Sequence, residues 1–171
     1  MPYKVTVERN TLRFAAAHFA TFEDSCEPLH GHNYDVRVEV EGELTEVGWL
    51  VDFALMKSMT RALCQELDHK FILQRDSKVL KIDEGMSNWK IRYQERGYVF
   101  PKADVVALPI SNSTAEQLAR WFGTTARAAR GARRDERHVA RRRRRGDAGP
   151  GRLVAGGIRR YLTDPSPLWY G

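Results

Sequence analysis

Residues 26–40 have the sequence CEPLHGHNYDVRVEV, and the second half of this stretch alternates between apolar and polar side chains. From His30 onward, every second position carries a histidine, a tyrosine or a valine, while most positions between them carry charged or amide groups. A period of two places the apolar side chains on one face of an extended chain. We therefore predict a half-buried antiparallel strand over residues 30–42.

A second strand is predicted over residues 3–18, because apolar residues recur at every second position from Leu12 to His18. His18 ends the apolar face of this strand, and His30 and His32 begin that of the next one. If the two strands pair, three imidazoles meet with an open fourth position, which is what a catalytic Zn²⁺ site requires. A His-x-His pair alone more often marks only a strand end, so the third histidine carries this interpretation.

A helix is predicted over residues 53–67, with Asp52 as its N-cap. Cys64 lies on this helix and is interpreted as a small core residue. The apolar stripe follows the i, i+3/i+4 spacing and consists of Leu55, Met56, Met59, Leu63 and Leu67.

Farther along, a small hairpin is predicted at about 84–101, with its turn at 95–97. Ser113 and Glu116 have the spacing of a capping box, which predicts the start of a second helix.

The basic charge of the chain is confined to its C-terminal part. The 171 residues carry a formal net charge of +6, but residues 1–122 carry −3 and residues 123–171 carry +9. All the candidate site residues lie in the mildly acidic body. The net charge therefore does not indicate a nucleic-acid partner, and none is expected.

Cellular location is predicted from what the sequence lacks. No apolar run approaches the ~18–20 residues of a membrane helix, and the N-terminus has no signal-peptide core. The two cysteines, Cys26 and Cys64, do not form a disulfide framework, which fits a reducing compartment. A cytoplasmic protein with no membrane partner is expected.

Cys26 and the pair Asp68–His69 are the remaining candidates for acid–base chemistry. Acidic neighbours should raise the pKa of the Cys26 thiol, whereas a nearby metal ion or imidazolium would lower that pKa and produce a thiolate base. The alternative is an inert loop cysteine. A carboxylate beside a histidine can orient the ring or tune its proton, but Asp68 and His69 also fit an ordinary helix C-terminus.

Four motifs occur in order along the chain. They are FAAAH at 14–18, CEPLHGHNY at 26–34, LDHKF at 67–71 and NSTAE at 112–116. Together they resemble the 6-pyruvoyltetrahydropterin synthase / 6-carboxytetrahydropterin synthase family over about residues 3–122. The resemblance implies an α+β tunnelling fold (T-fold), an antiparallel sheet with two helices on one face. It also implies a homo-oligomer, expected to be a hexamer, with active sites at subunit boundaries.

The same resemblance implies a zinc enzyme that acts on 7,8-dihydroneopterin triphosphate. The implied metal ligands are His18, His30 and His32. Cys26 is implied as the base that abstracts a proton, and Asp68 and His69 are implied as the partners that relay protons. Thr114 and Glu116 align with a stretch that the family places near the pterin, although the capping box explains both residues equally well.

Two reactions are compatible with these residues. The CEPLHGH pattern favours the 6-carboxytetrahydropterin branch, a lyase that releases triphosphate and acetaldehyde in queuosine precursor synthesis. The alternative is the 6-pyruvoyltetrahydropterin branch, which eliminates triphosphate. Hypotheses of another class are a non-catalytic protein that binds nucleic acid through its Arg-rich tail, and a metal-binding scaffold in which Cys26 is inert.

Two features depart from the family pattern. The segment 72–110 is longer than in compact members, and residues 123–171 contain neither the expected strands nor the Glu that anchors the pterin ring. We therefore divide the chain into a T-fold domain, 1–122, and an Arg/Ala/Gly-rich tail, 123–171. The tail has the composition of GC-rich coding sequence translated in the wrong frame, so we predict that it is frameshifted and disordered, and that it impairs zinc binding and turnover. Resequencing codons 120–155 tests this, and an intact frame contradicts it.

Overall fold

The computed structural model of the protein describes residues 2–23, 25–141, 152–154 and 158–161. In chain order its elements are β1 (Tyr3–His18), β2 (Thr21–Phe22), β3 (Ser25–Cys26), β4 (His30–Gly42), α1 (Phe53–Leu67), β5 (Lys70–Gln74), β6 (Lys81–Glu84), β7 (Asn88–Tyr93), β8 (Arg96–Pro101), a 3₁₀ turn (Lys102–Asp104), β9 (Val105–Leu108), α2 (Ala115–Arg141), β10 (Arg152–Val154) and β11 (Ile158–Tyr161).

Strands β1 and β4 pair antiparallel along most of their length. Val5 lies opposite Val40, and His18 lies opposite His30. The register shifts once, between Glu8 and Arg13, which is where a β-bulge would bend the ribbon. Both strands have the predicted bounds, because their alternating apolar residues fill the core while the residues between them stay more exposed.

The largest sheet has the strand order β10–β4–β1–β5–β9, and β11 also pairs with β4. Strand β5 runs parallel to β1, and β9 runs parallel to β5. The predicted α+β class is confirmed, but the sheet is mixed and not purely antiparallel. The difference arises because α1 returns the chain from the Gly42 end of β4 toward the His18 end of β1, where β5 pairs with Ala16 and Ala17. Strands β1 and β5 are thus not joined by a tight hairpin, which would require an antiparallel pair.

Helix α1 has the predicted bounds and the predicted N-cap. Asp52 Oδ1 accepts a hydrogen bond from the backbone N–H of Leu55 at 3.0 Å. The helix packs against β1. Its buried face is turned slightly from the predicted stripe and consists of Met56, Thr60, Cys64 and Leu67.

The long segment after β5 forms a separate antiparallel sheet of β6, β7 and β8, which we call the insertion sheet. It contains the predicted hairpin, although the turn lies at Gln94–Glu95 and β8 already begins at Arg96. The insertion sheet forms a second apolar core with residues from the main body, and this core includes Phe19, Cys26, Phe71, Leu73, Leu80, Trp89, Ile91 and Tyr93.

The tail contains more regular structure than predicted. Helix α2 continues to Arg141, and the short strands β10 and β11 pair with β4. The expectation that no strand follows residue 122 is therefore wrong for these two segments. A sheet edge offers unpaired N–H and C=O groups to any extended backbone, so pairing there needs no apolar period.

The other parts of the tail, 142–151, 155–157 and 162–171, lie outside the described residues. The frameshift and the division of the chain at residue 122 stay predictions. No described helix combines the length and the apolar composition needed to cross a membrane.

Candidate metal centre and active site

The three histidines predicted as metal ligands lie together at one end of the β1–β4 pair. His18 lies opposite His30, and Ala16 lies opposite His32, so the three rings project from the same face of the sheet. A ring nitrogen of each lies within 4.8 Å of those of the other two. His18 is fully buried, whereas His30 and His32 are half-buried. The cluster is therefore covered on the His18 side and accessible on the other.

Hydrogen bonds determine the tautomers of two of these rings. Nδ1 of His30 lies 2.7 Å from the carbonyl oxygen of Pro28, and since a carbonyl only accepts, this nitrogen carries the proton. Ser113 Oγ donates its single proton to the carbonyl of Phe19 at 3.0 Å, so it accepts from Nδ1 of His18, also at 3.0 Å. With Nδ1 occupied in this way, Nε2 is the ring nitrogen whose lone pair would be offered to a metal ion.

Ser113 belongs to a buried polar network behind His18. Its backbone N–H donates to Gln74 Oε1 at 2.7 Å, and Gln74 Nε2 donates to Thr21 Oγ1 at 3.2 Å. The Asn112 side chain accepts from the Thr21 backbone N–H at 3.0 Å and donates to the Thr21 carbonyl at 2.6 Å. A buried network whose members bond to one another is rigid. It therefore holds the Ser113 hydroxyl in place for His18.

The spacing of Ser113 and Glu116 predicts a capping box and gives no sign of the contact between Ser113 and His18. In the structure α2 begins at Ala115, and the N–H of Leu118 donates to the carbonyl of Thr114. Thr114 is thus the residue that precedes the helix. A capping hydroxyl and a hydroxyl directed at a residue 95 positions away look the same in a local pattern, so no sequence signal distinguished the two roles.

Replacing Ser113 with alanine is expected to weaken Zn²⁺ binding by about 10- to 100-fold, because His18 loses the group that orients its ring. Ser111→Ala is the matched control, since Ser111 lies on the same loop but is exposed and accepts a 3.5 Å contact from Gln117. Chelator competition measures the affinities, and thermal melts of the metal-free variants verify folding. Unchanged affinity in a folded Ser113→Ala protein would contradict this role.

Cys26 is buried on β3, four residues before the first ligand of the His-x-His pair. Its Sγ makes a weak hydrogen bond to the carbonyl of Glu27 at 3.5 Å. Burial raises the pKa of the Cys26 thiol, the Arg96 guanidinium opposes this change, and the Glu27 carboxylate reinforces it. The other thiol, Cys64, is more deeply buried, and burial together with the nearby Asp68 charge raises its pKa to about 12. Its position fits the core role predicted for it.

Glu27 is a further candidate that only the structure reveals. Its Oε2 lies 3.7 Å from Nε2 of His30 and accepts from the backbone N–H of Ala20 at 3.3 Å. A half-buried carboxylate therefore stands beside the metal cluster. The sequence feature that could have indicated Glu27 is its place between Cys26 and His30 in the CEPLHGH motif.

Asp68 and His69 lie farther along the sheet. Asp68 Oδ1 accepts from the N–H of Ala15 at 2.8 Å, and the N–H of His69 donates to the Ala15 carbonyl at 2.7 Å. The Ala15 hydrogen bond is the main cause that lowers the pKa of Asp68, and His69 Nδ1, 3.0 Å away, adds to it. Both of these hydrogen bonds go to the backbone of Ala15, which precedes His18 by three strand positions, about 10 Å. Within one chain, the pair is therefore held beside β1 at a distance along the strand from the metal cluster.

Thr114 and Glu116 occupy the start of α2. Thr114 is half-buried and directly follows Ser113, so the chain brings it close to the metal cluster, whereas Glu116 is exposed. A pterin contact stays a prediction for both residues.

The comparisons with known proteins agree with this arrangement. The family model described as 6-pyruvoyl tetrahydropterin synthase matches residues 6–142. A Methanocaldococcus jannaschii protein named putative 6-carboxy-5,6,7,8-tetrahydropterin synthase is 35% identical over 112 residues, which cover 65% of this chain and 69% of that protein. A Rickettsia bellii 6-carboxy-5,6,7,8-tetrahydropterin synthase is 30% identical over 111 residues, which cover 63% and 78%.

Solved structures add the fold. The crystal structure of 6-pyruvoyl tetrahydropterin synthase from Plasmodium vivax is 36% identical, covers 74% of this chain and 78% of that chain, and superposes with a TM-score of 0.68. The match of the family model over most of the chain, supported by these relatives, shows that this protein belongs to the 6-pyruvoyl tetrahydropterin synthase family and has its T-fold.

Proposed function

We propose that this protein is a zinc-dependent lyase that converts 7,8-dihydroneopterin triphosphate to 6-carboxy-5,6,7,8-tetrahydropterin, with loss of triphosphate and acetaldehyde. The observation that carries the proposal is the gathering of three imidazoles at one end of the sheet, with a buried thiol on the neighbouring segment. The name shared by the archaeal and rickettsial relatives supports the 6-carboxy product.

The donor set fits a catalytic zinc ion. Three neutral imidazoles from His18, His30 and His32 would leave a coordination position for substrate, which is typical of catalytic rather than structural zinc. The Nδ1 hydrogen bonds of His18 and His30 present Nε2 to the cluster in the required form. Zn²⁺ bound here would act as a Lewis acid toward the side-chain oxygens of the substrate.

Cys26 is proposed as the base that removes a carbon-bound proton from the substrate side chain. It acts as the thiolate, so the opposing effects of burial and of Arg96 on the pKa of its thiol set how much base is present. A buried thiolate is shielded from water, which favours proton transfer from carbon over exchange with solvent.

Asp68 and His69 are proposed as the proton-relay pair. The Asp68 carboxylate accepts from Nδ1 of His69, which would fix the ring and leave Nε2 to exchange a proton. Because this pair bonds to β1 about 10 Å along the strand from His18, we assign it to a site completed by a neighbouring subunit. This assignment requires a homo-oligomer, and the resemblance to the family makes a hexamer the expected form.

The alternative is a 6-pyruvoyltetrahydropterin synthase, and the names of the family model and of the structural relatives favour it. This reaction eliminates triphosphate without cleaving the side chain, so no acetaldehyde forms. Both reactions begin with the same proton abstraction, and the described residues at the site serve either one.

Incubation with 7,8-dihydroneopterin triphosphate and Zn²⁺, followed by mass spectrometry of the pterin and trapping of acetaldehyde, tests the proposal. We expect 6-carboxytetrahydropterin and acetaldehyde in equal amounts. Triphosphate without acetaldehyde would identify the 6-pyruvoyl branch. The 171-residue chain is assayed beside a version translated in the shifted frame after about residue 122, and no triphosphate release from either version contradicts both reactions.

A further inference from the structure

Arg96, on strand β8 of the insertion sheet, reaches the segment that carries Cys26. One guanidinium nitrogen, Nη2, donates to the carbonyl of Cys26, and the other, Nη1, donates to the carbonyl of Glu27 at 3.3 Å. The two partners are adjacent in sequence and lie about 70 positions from Arg96. A planar guanidinium that donates to two consecutive carbonyl groups restrains the backbone on both sides of the peptide bond between Cys26 and Glu27.

The Arg96 side chain is itself held by the insertion sheet. Its guanidinium carbon lies 5.1 Å from the centre of the Tyr93 ring, within the range of a cation–π contact. Tyr93 and Cys26 are both buried members of the second apolar core, together with Trp89 and Ile91. The insertion sheet therefore supplies both the clamp and the surface that supports it.

The charges that face the Cys26 thiol come from two directions. Arg96 approaches from the insertion sheet and favours the thiolate, whereas Glu27 on the same segment disfavours it. The ring of Tyr93 lies below the guanidinium and supports it. Arg96 is thus the cation that offsets the burial of the thiol.

We propose that Arg96 is a positioning residue for Cys26, which makes the insertion sheet a working part of the active site. Arg96 holds the Cys26–Glu27 backbone in place and keeps a positive charge beside the thiol. The inference deepens the proposed function, because it rests on Cys26 as the base. It also gives a role to the segment by which this chain exceeds compact members of the family.

The pH dependence of Cys26 alkylation by iodoacetamide tests this assignment without relying on turnover. The rate follows the thiolate fraction, and Cys64, with a pKa of about 12, contributes little near neutral pH. We expect Arg96→Ala to move the midpoint of the profile upward by roughly 0.5–1 pH unit. The plateau at high pH should rise as well, because the released segment exposes the thiol. Arg96→Lys keeps the positive charge but not the pair of hydrogen bonds. Its midpoint should therefore stay close to that of the parent protein, while its plateau rate at high pH should rise.

Arg92→Ala is the matched control. Arg92 belongs to the same hairpin, is exposed, and contacts the Gln94 carbonyl at 3.0 Å and Glu95 at 3.9 Å. Its profile should match that of the parent protein. An unchanged midpoint in Arg96→Ala, or an equal shift in Arg92→Ala, overturns the inference. Alkylation needs no substrate. A shifted midpoint in a protein that makes no product would therefore support the role of Arg96 in positioning Cys26 and refute the proposed function.

Discussion

Replacement of Cys26 by alanine is expected to lower turnover by roughly 10²- to 10⁴-fold, the usual contribution of a positioned general base. Zinc affinity should stay at the parent level, since the ligands come from β1 and β4 and not from β3. The rate of triphosphate release measures the first quantity, and chelator competition measures the second.

Cys64→Ala is the matched thiol control for this experiment. Cys64 is buried in the face of α1 that packs against β1, and its raised pKa keeps it protonated. This variant should lose some stability but retain turnover per folded molecule. A Cys26→Ala protein with parental turnover would show that another group is the base, and Glu27, 3.7 Å from His30, would be the first to examine.

Removal of one metal ligand should have the other large effect. Structural zinc sites with four ligands bind with about 10–16 kcal/mol, so each ligand accounts for about 3 kcal/mol, or roughly 10²-fold in affinity. His30→Ala and His32→Ala are therefore each expected to lose about this factor or more, and turnover should fall with metal content. The half-buried His30 and His32 suit this test better than the fully buried His18, whose loss would also leave a cavity.

His69→Ala separates metal binding from proton relay. The His69 side chain is 83% exposed and bonds to Asp68 rather than to the cluster, so this variant should bind zinc as the parent does and lose turnover. Zinc content, measured by elemental analysis after gel filtration and compared with the rate of turnover, resolves the two effects.

Full zinc retention in both His30→Ala and His32→Ala would contradict the three-histidine site.

Local periodicity predicted much of the fold correctly. The bounds of β1, β4 and α1 followed from spacing and from one capping residue, because burial on one face imposes a period on the chain. The parallel pairing of β5 with β1 and of β9 with β5 did not follow, since strand direction depends on how the connections cross the sheet. Strands β10 and β11 were missed because edge pairing uses backbone groups, which leave no mark on composition.

The candidate site divides in the same way. His18, His30 and His32 could be identified as a group because two strands of known alternation bring their ends together. Ser113, Gln74 and Arg96 could not, since each acts on a partner far away in sequence through one hydrogen bond or a pair of them. A serine before a helix or an arginine in a hairpin has an ordinary local explanation, so the pattern gives no sign of a distant partner.

The amino-acid sequence by itself determined the chemistry that this protein can offer, namely three imidazoles, a thiol and an aspartate–histidine pair on predictable strands and a helix. It could do so because alternation and capping are local physical constraints that each segment carries with it. Only the tertiary structure decided which ring nitrogens face the metal position, which backbone groups of β1 hold Asp68 and His69, and that the insertion sheet clamps Cys26 through Arg96. These arrangements depend on contacts between distant segments, which form only when the whole core packs.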